Sequence, residues 1–124
     1  MTWQQFTDEY GTAGAIRLGN WSVAPQASDM IECRATIAFD DRIMSMSATA
    51  SGPVGAMTSI LYDIGAPVQI VQFHQRRADD RITTILLCEN DNRQCWAYGD
   101  GNTGDEASLN ALIAGANRLL EAAG

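Results

Sequence analysis

Ala35–Leu61 reads ATIAFDDRIMSMSATASGPVGAMTSIL, and Leu86–Leu112 reads LLCENDNRQCWAYGDGNTGDEASLNAL. Slid by 51 residues without a gap, Arg42 falls on Arg93, Ala50 on Gly101, Ala56 on Ala107 and Leu61 on Leu112. Each copy runs through an apolar stretch, a short polar turn, a second stretch, a glycine-containing loop and then an apolar stripe at helical spacing. A duplicated unit that buries only one face is completed by its twin. The repeat therefore predicts two halves, about 14–65 and 66–124, related by a pseudo-twofold axis within a single domain spanning 1–124. It points to a symmetric binding or assembly module before it points to a catalyst.

Working outward, Ile31, Cys33, Ala35, Ile37 and Phe39 alternate along 31–39, the period-2 signature of a half-buried strand. Asp40–Asp41 supplies a tight turn, and 42–49 returns. Ser51-Gly52-Pro53 then opens a helix, because Ser51 or Gly52 can cap it and proline suits the first helical position. Val54, Met57, Ile60, Leu61 and Ile64 form its apolar stripe, and Gly65 with Pro67 ends it. Ahead of this unit, 16–23 reads as a strand with Ile16, Leu18 and Trp21 inward, 25–29 as a loop, and 3–10 as an amphipathic helix or arm. The second half repeats the plan. Over 68–75, Val68, Ile70 and Gln72 alternate against Gln69, Val71 and Phe73. A hairpin pairs 82–88 with 95–99 around a turn at 89–93. The loop 100–104 leads into a helix whose stripe is Leu109, Leu112, Ile113, Ala116, Leu119 and Leu120. The expected fold class is α+β: two pseudo-twofold-related βββα units, with antiparallel sheets covered by two helices.

Composition narrows the function. The chain has 124 residues, 46% of them apolar, and a net charge of −7 in which all eight positive residues are arginine. That is enough chain for one core. Scattered arginines in an acidic domain do not make a nucleic-acid surface, since phosphate neutralisation needs clustered cations. The apolar runs are too short to span a bilayer, and MTWQQFTDEY lacks the basic and apolar regions of a signal peptide. The expected location is the cytoplasm, with no nucleic-acid or membrane partner.

No residue set calls for catalysis or a cofactor. Cys33, Cys88 and Cys95 match no zinc spacing, and the single histidine, His74, does not complete a ligand set. Cys88 and Cys95 flank the second hairpin turn and can approach across it, yet a reducing compartment keeps them as thiols. Asp40–Asp41, Asp79–Asp80 and Asp105–Glu106 are paired carboxylates of the kind general acid–base chemistry uses, but each sits where turns or helix starts favour acids. His74 has no serine or cysteine nucleophile in an elbow or triad context and reads as a strand-surface residue. The glycine-rich 99–104 lacks both the Lys-Ser/Thr of a P-loop and GxGxxG spacing.

Four stretches carry a family resemblance. Phe6-Thr7-Asp8-Glu9-Tyr10 looks like an aromatic-x-x-Glu-Tyr entry segment. Ala48–Met57, ATASGPVGAM, is similar to a Gly-Asn-Gly-Pro loop with its following helix. Asp63-Ile64-Gly65-Ala66-Pro67-Val68 and then Val71-Gln72-Phe73-His74 match a helix end and an aromatic-bearing strand. Trp96-Ala97-Tyr98-Gly99, Ala107-Ser108-Leu109 and Ala116-Asn117-Arg118 follow a Trp-Gly-x-Gly…Ala-Ser-Leu…Val-Asn-Arg ending. In this order, over nearly the whole chain, they resemble the C-terminal regulatory, or dimerisation, domain of α-isopropylmalate synthases and citramalate synthases.

The resemblance implies two βββα units and a pocket near a dimer contact, which in the synthase binds the end product leucine and damps a separate metal-dependent catalytic barrel. Carried across position by position, the pocket would be built from Gly52, Pro53, Val54 and Gly55 at the first helix start. Ile70 and Phe73 would come from the next strand, Thr83 from the one after, and Asp100 and Asn102 from the second glycine loop. Helix-start amides suit a carboxylate, and Asp100 suits an ammonium group, so the implied ligand is a leucine-like zwitterion. The chain departs from the pattern in Ala50-Ser51-Gly52-Pro53, in His74-Gln75-Arg76-Arg77, and in Arg81 where the family has a small residue; a guanidinium there would fill the pocket or select a more acidic ligand. The catalytic barrel, which needs a few hundred residues and a metal-ligand set, is absent from this sequence, so no enzymatic activity, cofactor or metal is expected. Met1 favours a free-standing homologue over an excised piece. Two functions follow: an effector-binding regulatory domain acting on a synthase in trans, or a dimerisation module whose pocket has decayed. The aromatics Trp3, Phe6, Tyr10 and Trp21 favour a homodimer.

Overall fold

A computed structural model describes residues 15–123. The calls on Trp3, Phe6 and Tyr10 and on the 3–10 segment lie outside the described residues. Strand β1 is Ile16–Pro25, followed by a short 3₁₀ turn at Ala27–Asp29, then β2 Ile31–Phe39, β3 Arg42–Ala50, helix α1 Pro53–Asp63, β4 Gln69–Ala78, β5 Arg81–Asn90, β6 Arg93–Gly101 and helix α2 Gly104–Ala123. The strands make two three-stranded antiparallel sheets, β1-β2-β3 and β4-β5-β6, each followed by one helix, so the α+β expectation holds. The repeat is carried into the backbone. Strand β6 and the start of α2 are displaced from β3 and the start of α1 by the same 51 residues.

Local chemistry explains the turns. Asp40, Asp79, Asp91 and Asn92 adopt left-handed conformations, which Asp and Asn tolerate better than other side-chain-bearing residues. Asp91 and Asn92 both have positive φ, 56° and 63°, and this closes the β5–β6 hairpin in two residues. The turn is therefore tighter than the five-residue 89–93 expected, and both strands run further into it. Strand β4 likewise continues to Ala78, because the next reversal is at Asp79. Gly52 stands in extended backbone as the cap of α1, with no side-chain cap, and Pro53 is the first helical residue. Gly65, with φ of 92°, ends α1 by donating its N–H to Tyr62 O at 3.1 Å. Thr103 caps α2 by accepting from Glu106 N at 3.1 Å, and Glu106 reaches back to accept from Asn102 N at 3.3 Å, a variant of the reciprocal capping box.

One apolar cluster joins both units, with Ile37, Met57, Ile60, Leu61, Leu86 and Leu112 among its fully buried members. Helix α1 buries Ala56, Met57, Ile60 and Leu61, whereas Val54 and Ile64 at the ends of its expected stripe are only partly covered. Helix α2 is buried more broadly than its stripe predicted: Ala107, Ala111, Gly115 and Asn117 are covered as well. It packs against β5, β6, α1 and β1 at once. It also approaches the sheet backbone directly. A Cβ on Gly99 would collide with the backbone of Ala111 and Asn110, one on Gly101 would lie 2.7 Å from Ala107 N, and one on Gly115 would lie 2.5 Å from Cys88 Sγ.

Three buried polar side chains are matched. Asn117 accepts from Ile16 N and donates to Ile16 O, both at 2.8 Å, so α2 holds the first residue of β1 by its two backbone groups. Thr84 and Ser108 meet at 3.1 Å, and Gln75 Nε2 reaches Thr84 at 3.0 Å and Ser108 at 3.3 Å. Cys33, Cys88 and Cys95 are free thiols. Cys88 and Cys95 are direct cross-strand partners; burial first, and then the neighbouring Cys95, push Cys88 up to about 11.

Three outcomes follow. Asn117→Ala leaves an N–H and a carbonyl of Ile16 unpaired inside the fold and should lower unfolding free energy by about 2–4 kcal/mol in denaturant titration. Gly99→Ala forces α2 off β6 and should cost about 3 kcal/mol or more. The Cys88 thiol is held protonated by the fold, so its contribution is complete below the ordinary thiol value of 9.0 and is lost as pH rises through 11. That is about 2–3 kcal/mol, and the loss of stability between these pH values should be shallower in Cys88→Ala than in the wild type.

Candidate functional site

The nine positions implied by the resemblance fall into three groups. Gly52, Pro53, Val54 and Gly55 form the start of α1. A Cβ on Gly52 would meet nothing within 4 Å and one on Gly55 only Ala50 Cβ at 3.5 Å, so neither glycine is required by packing and the space over this helix start is open. Its first intrahelical bond runs from Ala56 N to Gly52 O at 3.1 Å, and among the described residues no side chain caps the remaining amides.

Ile70 and Phe73 lie on β4. Strict alternation would put residues three apart on opposite faces, as expected above. The strand instead carries a bulge between Ile70 and Gln72, so Ile70 pairs with Cys88 and Phe73 with Leu86, both on the buried side of β5. The extra residue at Val71 turns Ile70 and Phe73 to the same, helix-covered face. Ile70 packs on the core there, and Phe73 stays 48% exposed at the sheet margin.

Thr83, Asp100 and Asn102 come together on the opposite face. In β5 the buried Ile82, Thr84, Leu86 and Cys88 alternate with Thr83, Ile85 and Leu87, which face away from the helices. Thr83 is the cross-strand partner of Asp100 and donates its hydroxyl to Asp100 Oδ1 at 2.6 Å. Beside it, Arg81 Nη1 donates to Asn102 Oδ1 at 3.2 Å. Arg76 of β4 is the partner of Thr83 on the other side. The only ion pair among the described residues is Arg34–Glu32 at 2.8 Å, so Arg76 and Arg81 carry no carboxylate partner there. The backbone carbonyl of Asp100 accepts from Asn110 Nδ2 at 2.9 Å, which fixes this corner to α2. The result is a carboxylate, two guanidinium groups, a hydroxyl and an amide on one patch of sheet, a set able to meet both ends of a zwitterion.

The structure thus brings together Thr83, Asp100 and Asn102, adds Arg76 and Arg81, and leaves Ile70 and Phe73 on the reverse of the same sheet. Two shallow clefts lie elsewhere. One, of about 510 Å³, is between the end of α1 and the β5–β6 turn, with Tyr62, Gln69 and Asp91 in its wall. The other, of about 470 Å³, lies along β1–β3, with Ser22, Arg34 and Ser45 in its wall. None of the nine positions lines either cleft.

Other candidates take ordinary places. Asp40–Asp41 and Asp79–Asp80 sit in hairpin turns, and Asp105–Glu106 occupies the first turn of α2. His74 is exposed on β4, 3.1 Å from Gln72 Oε1 and with its ring centroid 6.2 Å from that of Trp96. Among the described residues no group of three or more His, Cys, Asp or Glu could hold a metal ion, and no helix is long and apolar enough to cross a membrane. One feature was missed at the level of sequence: Trp96 and Tyr98 point outward, 49% and 66% exposed. The signal was present in β6, where large Trp96 and Tyr98 alternate with small Ala97, Gly99 and Gly101. The helix can only lie on the small side.

No protein-family model matches the chain. It is similar to the 2-isopropylmalate synthases of Arthrobacter sp. (strain FB24), at 26% identity over 129 residues, and of Renibacterium salmoninarum, at 25% over 132. That of Clavibacter michiganensis subsp. michiganensis is 23% identical over 131 residues. Each alignment takes in 95% of this chain and 22% of the relative. The chain therefore spans about a fifth of the length of the curated relatives it matches, and what it resembles is one segment of a 2-isopropylmalate synthase.

Proposed function

We propose that the chain is a regulatory module of the 2-isopropylmalate synthase type, binding a small amino-acid-like effector and acting, as a homodimer, on a synthase in trans. It would do so in the cytoplasm and without chemistry of its own. The observation that carries this reading is similarity over 95% of the chain to only 22% of each synthase. That proportion is what a segment corresponding to one part of the synthase would produce. The patch at Thr83, Asp100 and Asn102 supports it chemically. Asp100 offers a carboxylate to an ammonium group, and Arg81, held by Asn102, offers a guanidinium to a carboxylate. The open helix start at Gly52–Gly55 is a second carboxylate-binding element.

A plain dimerisation module is the competing reading, and one observation favours it. Thr83 already donates to Asp100, and Arg81 already donates to Asn102, so the patch is partly closed on itself. Thermal denaturation with each of the common amino acids separates the two. A ligand that binds only the folded state raises the melting temperature by linkage, equivalent to about 2.7 kcal/mol at a hundredfold excess over Kd. A branched-chain or acidic amino acid should produce this rise, and Asp100→Ala should remove it. No rise with any amino acid would leave the dimerisation reading. A rise unchanged in Asp100→Ala would move the ammonium contact elsewhere.

A further inference from the structure

The second unit carries two facing thiols where the first carries apolar side chains. By the 51-residue repeat, Cys88 and Cys95 correspond to Ile37 and Met44, which are cross-strand partners in β2–β3, and Gly115 corresponds to Ile64. Packing by itself therefore asks for no sulfur at this place. In β5–β6 the two cysteines are direct partners and both turn toward α2, Cys88 fully buried and Cys95 half-buried against the core. Their sulfurs converge on one residue of the helix. A Cβ on Gly115 would lie 2.5 Å from Cys88 Sγ, and Cys95 Sγ is 3.8 Å from the Gly115 carbonyl oxygen. The bare backbone of Gly115 is what leaves room for both.

Strand spacing brings the pair within bonding reach. The two-residue turn at Asp91–Asn92 makes Asn90 and Arg93 a hydrogen-bonded pair, and alternation makes Cys88 and Cys95 another, with Cα atoms about 5.5 Å apart. That separation is inside the range of disulfides. Facing Cβ atoms on paired strands stand about 4.5–5.5 Å apart, against about 3.8 Å in a disulfide, so closing the bond draws them together by about 1 Å. A bridge that must pull its ends inward is more readily reduced than a relaxed one. Cys33 is placed differently, with Val23 and Ala48 as its partners on the neighbouring strands.

We infer that Cys88 and Cys95 are a modification site, forming a reversible disulfide when the protein meets a hydroperoxide; the inference is independent of the effector reading above. Cys95, the less buried of the two, is the entry point. Its thiolate attacks one peroxide oxygen, the O–O bond breaks, and a sulfenic acid and a hydroxide result. The Cys88 thiolate then attacks the Cys95 sulfur, and the S–S bond forms as a second hydroxide leaves. Each hydroxide takes up the proton that one thiol has released. Two thiols and one hydrogen peroxide thus yield one disulfide and two waters, the sulfurs losing the two electrons that the peroxide gains. Burial raises both thiols, and Arg118 works the other way at Cys95. The dithiol is therefore the resting form, and bridging needs a sustained excess of oxidant. The bridge encloses 89–94, and Glu89, Asn90 and Asp91 of that segment wall the cleft beside α1, so oxidation clamps one side of it.

Peptide mapping of the whole chain tests the site. The reduced protein is exposed to hydrogen peroxide while folded, quenched, denatured, alkylated and digested with trypsin, which cuts only after arginine because the chain has no lysine. Cys88 then lies in 82–93 and Cys95 in 94–118, neither of which contains methionine, so methionine oxidation leaves their masses alone; Cys33 lies in 18–34. Peptides 82–93 and 94–118 should be recovered joined and should separate in dithiothreitol, while 18–34 stays alkylated. In Cys95→Ser, the loss of alkylatable Cys88 should slow about tenfold or more, because the exposed entry point is gone. In Cys88→Ser, Cys95 should be trapped by dimedone as its sulfenic acid. Separate recovery of the two peptides from the wild type, alkylated or carrying only sulfinic and sulfonic acids, overturns the site, as does a link to 18–34 or between two chains. Undiminished loss of Cys88 in Cys95→Ser overturns Cys95 as the entry point.

Discussion

The fold depends on helix α2 lying against bare backbone. Gly99 and Gly101 of β6 and Gly115 of the helix present no side chains, so strand and helix approach at distances a methyl group would forbid. Close approach lets Leu109, Leu112 and Ala116 fill the space between the two units. It also places Asn117 where its amide takes both backbone groups of Ile16, 101 residues earlier in sequence. The first unit is thereby tied to the second by a matched buried amide as well as by apolar contact, and an amide with two fixed partners tolerates little sliding between them.

The copies have diverged around this contact. Positions equivalent by the repeat to Gly99 and Gly101 are Ala48 and Ala50, and α1 contacts β3 less extensively than α2 contacts β6. The buried pair Thr84 and Ser108 corresponds to Cys33 and Met57 in the first unit, which is apolar there. The second unit thus holds a polar network, Gln75–Thr84–Ser108, under the start of α2. Its outward sheet face is also the one with exposed aromatics and with arginines that have no carboxylate partner among the described residues. Asymmetry built on a symmetric frame concentrates the recognisable chemistry in β4–β6, while β1–β3 mainly supplies core and a polar outer surface.

Function and fold meet on that sheet. Its covered side is dictated by the helix, and its bare side is consequently available to other molecules. Because side chains alternate, one strand serves both sides: β6 turns small residues to α2 and Trp96, Tyr98 and Asp100 outward. An apolar surface and a charged patch therefore stand in adjacent rows.

The duplication, the order of strands and helices, the turn at Asp40–Asp41 and the residues of both apolar stripes were legible in the sequence, because they rest on local rules: side-chain period, turn chemistry and capping. So was the resemblance to one segment of the synthases. The relation of the candidate site residues was not. The bulge at Val71 turns Ile70 and Phe73 to the face opposite Thr83 and Asp100, and strict alternation carries no sign of an inserted residue. The two-residue turn at Asp91–Asn92 lengthens both strands beyond the limits that composition indicates. Which face of β4–β6 stays bare, and which residue of α2 secures β1, were decided only by packing. Burial and hydrogen-bond partnership over a hundred residues are properties of the assembled layers, and no local segment contains them.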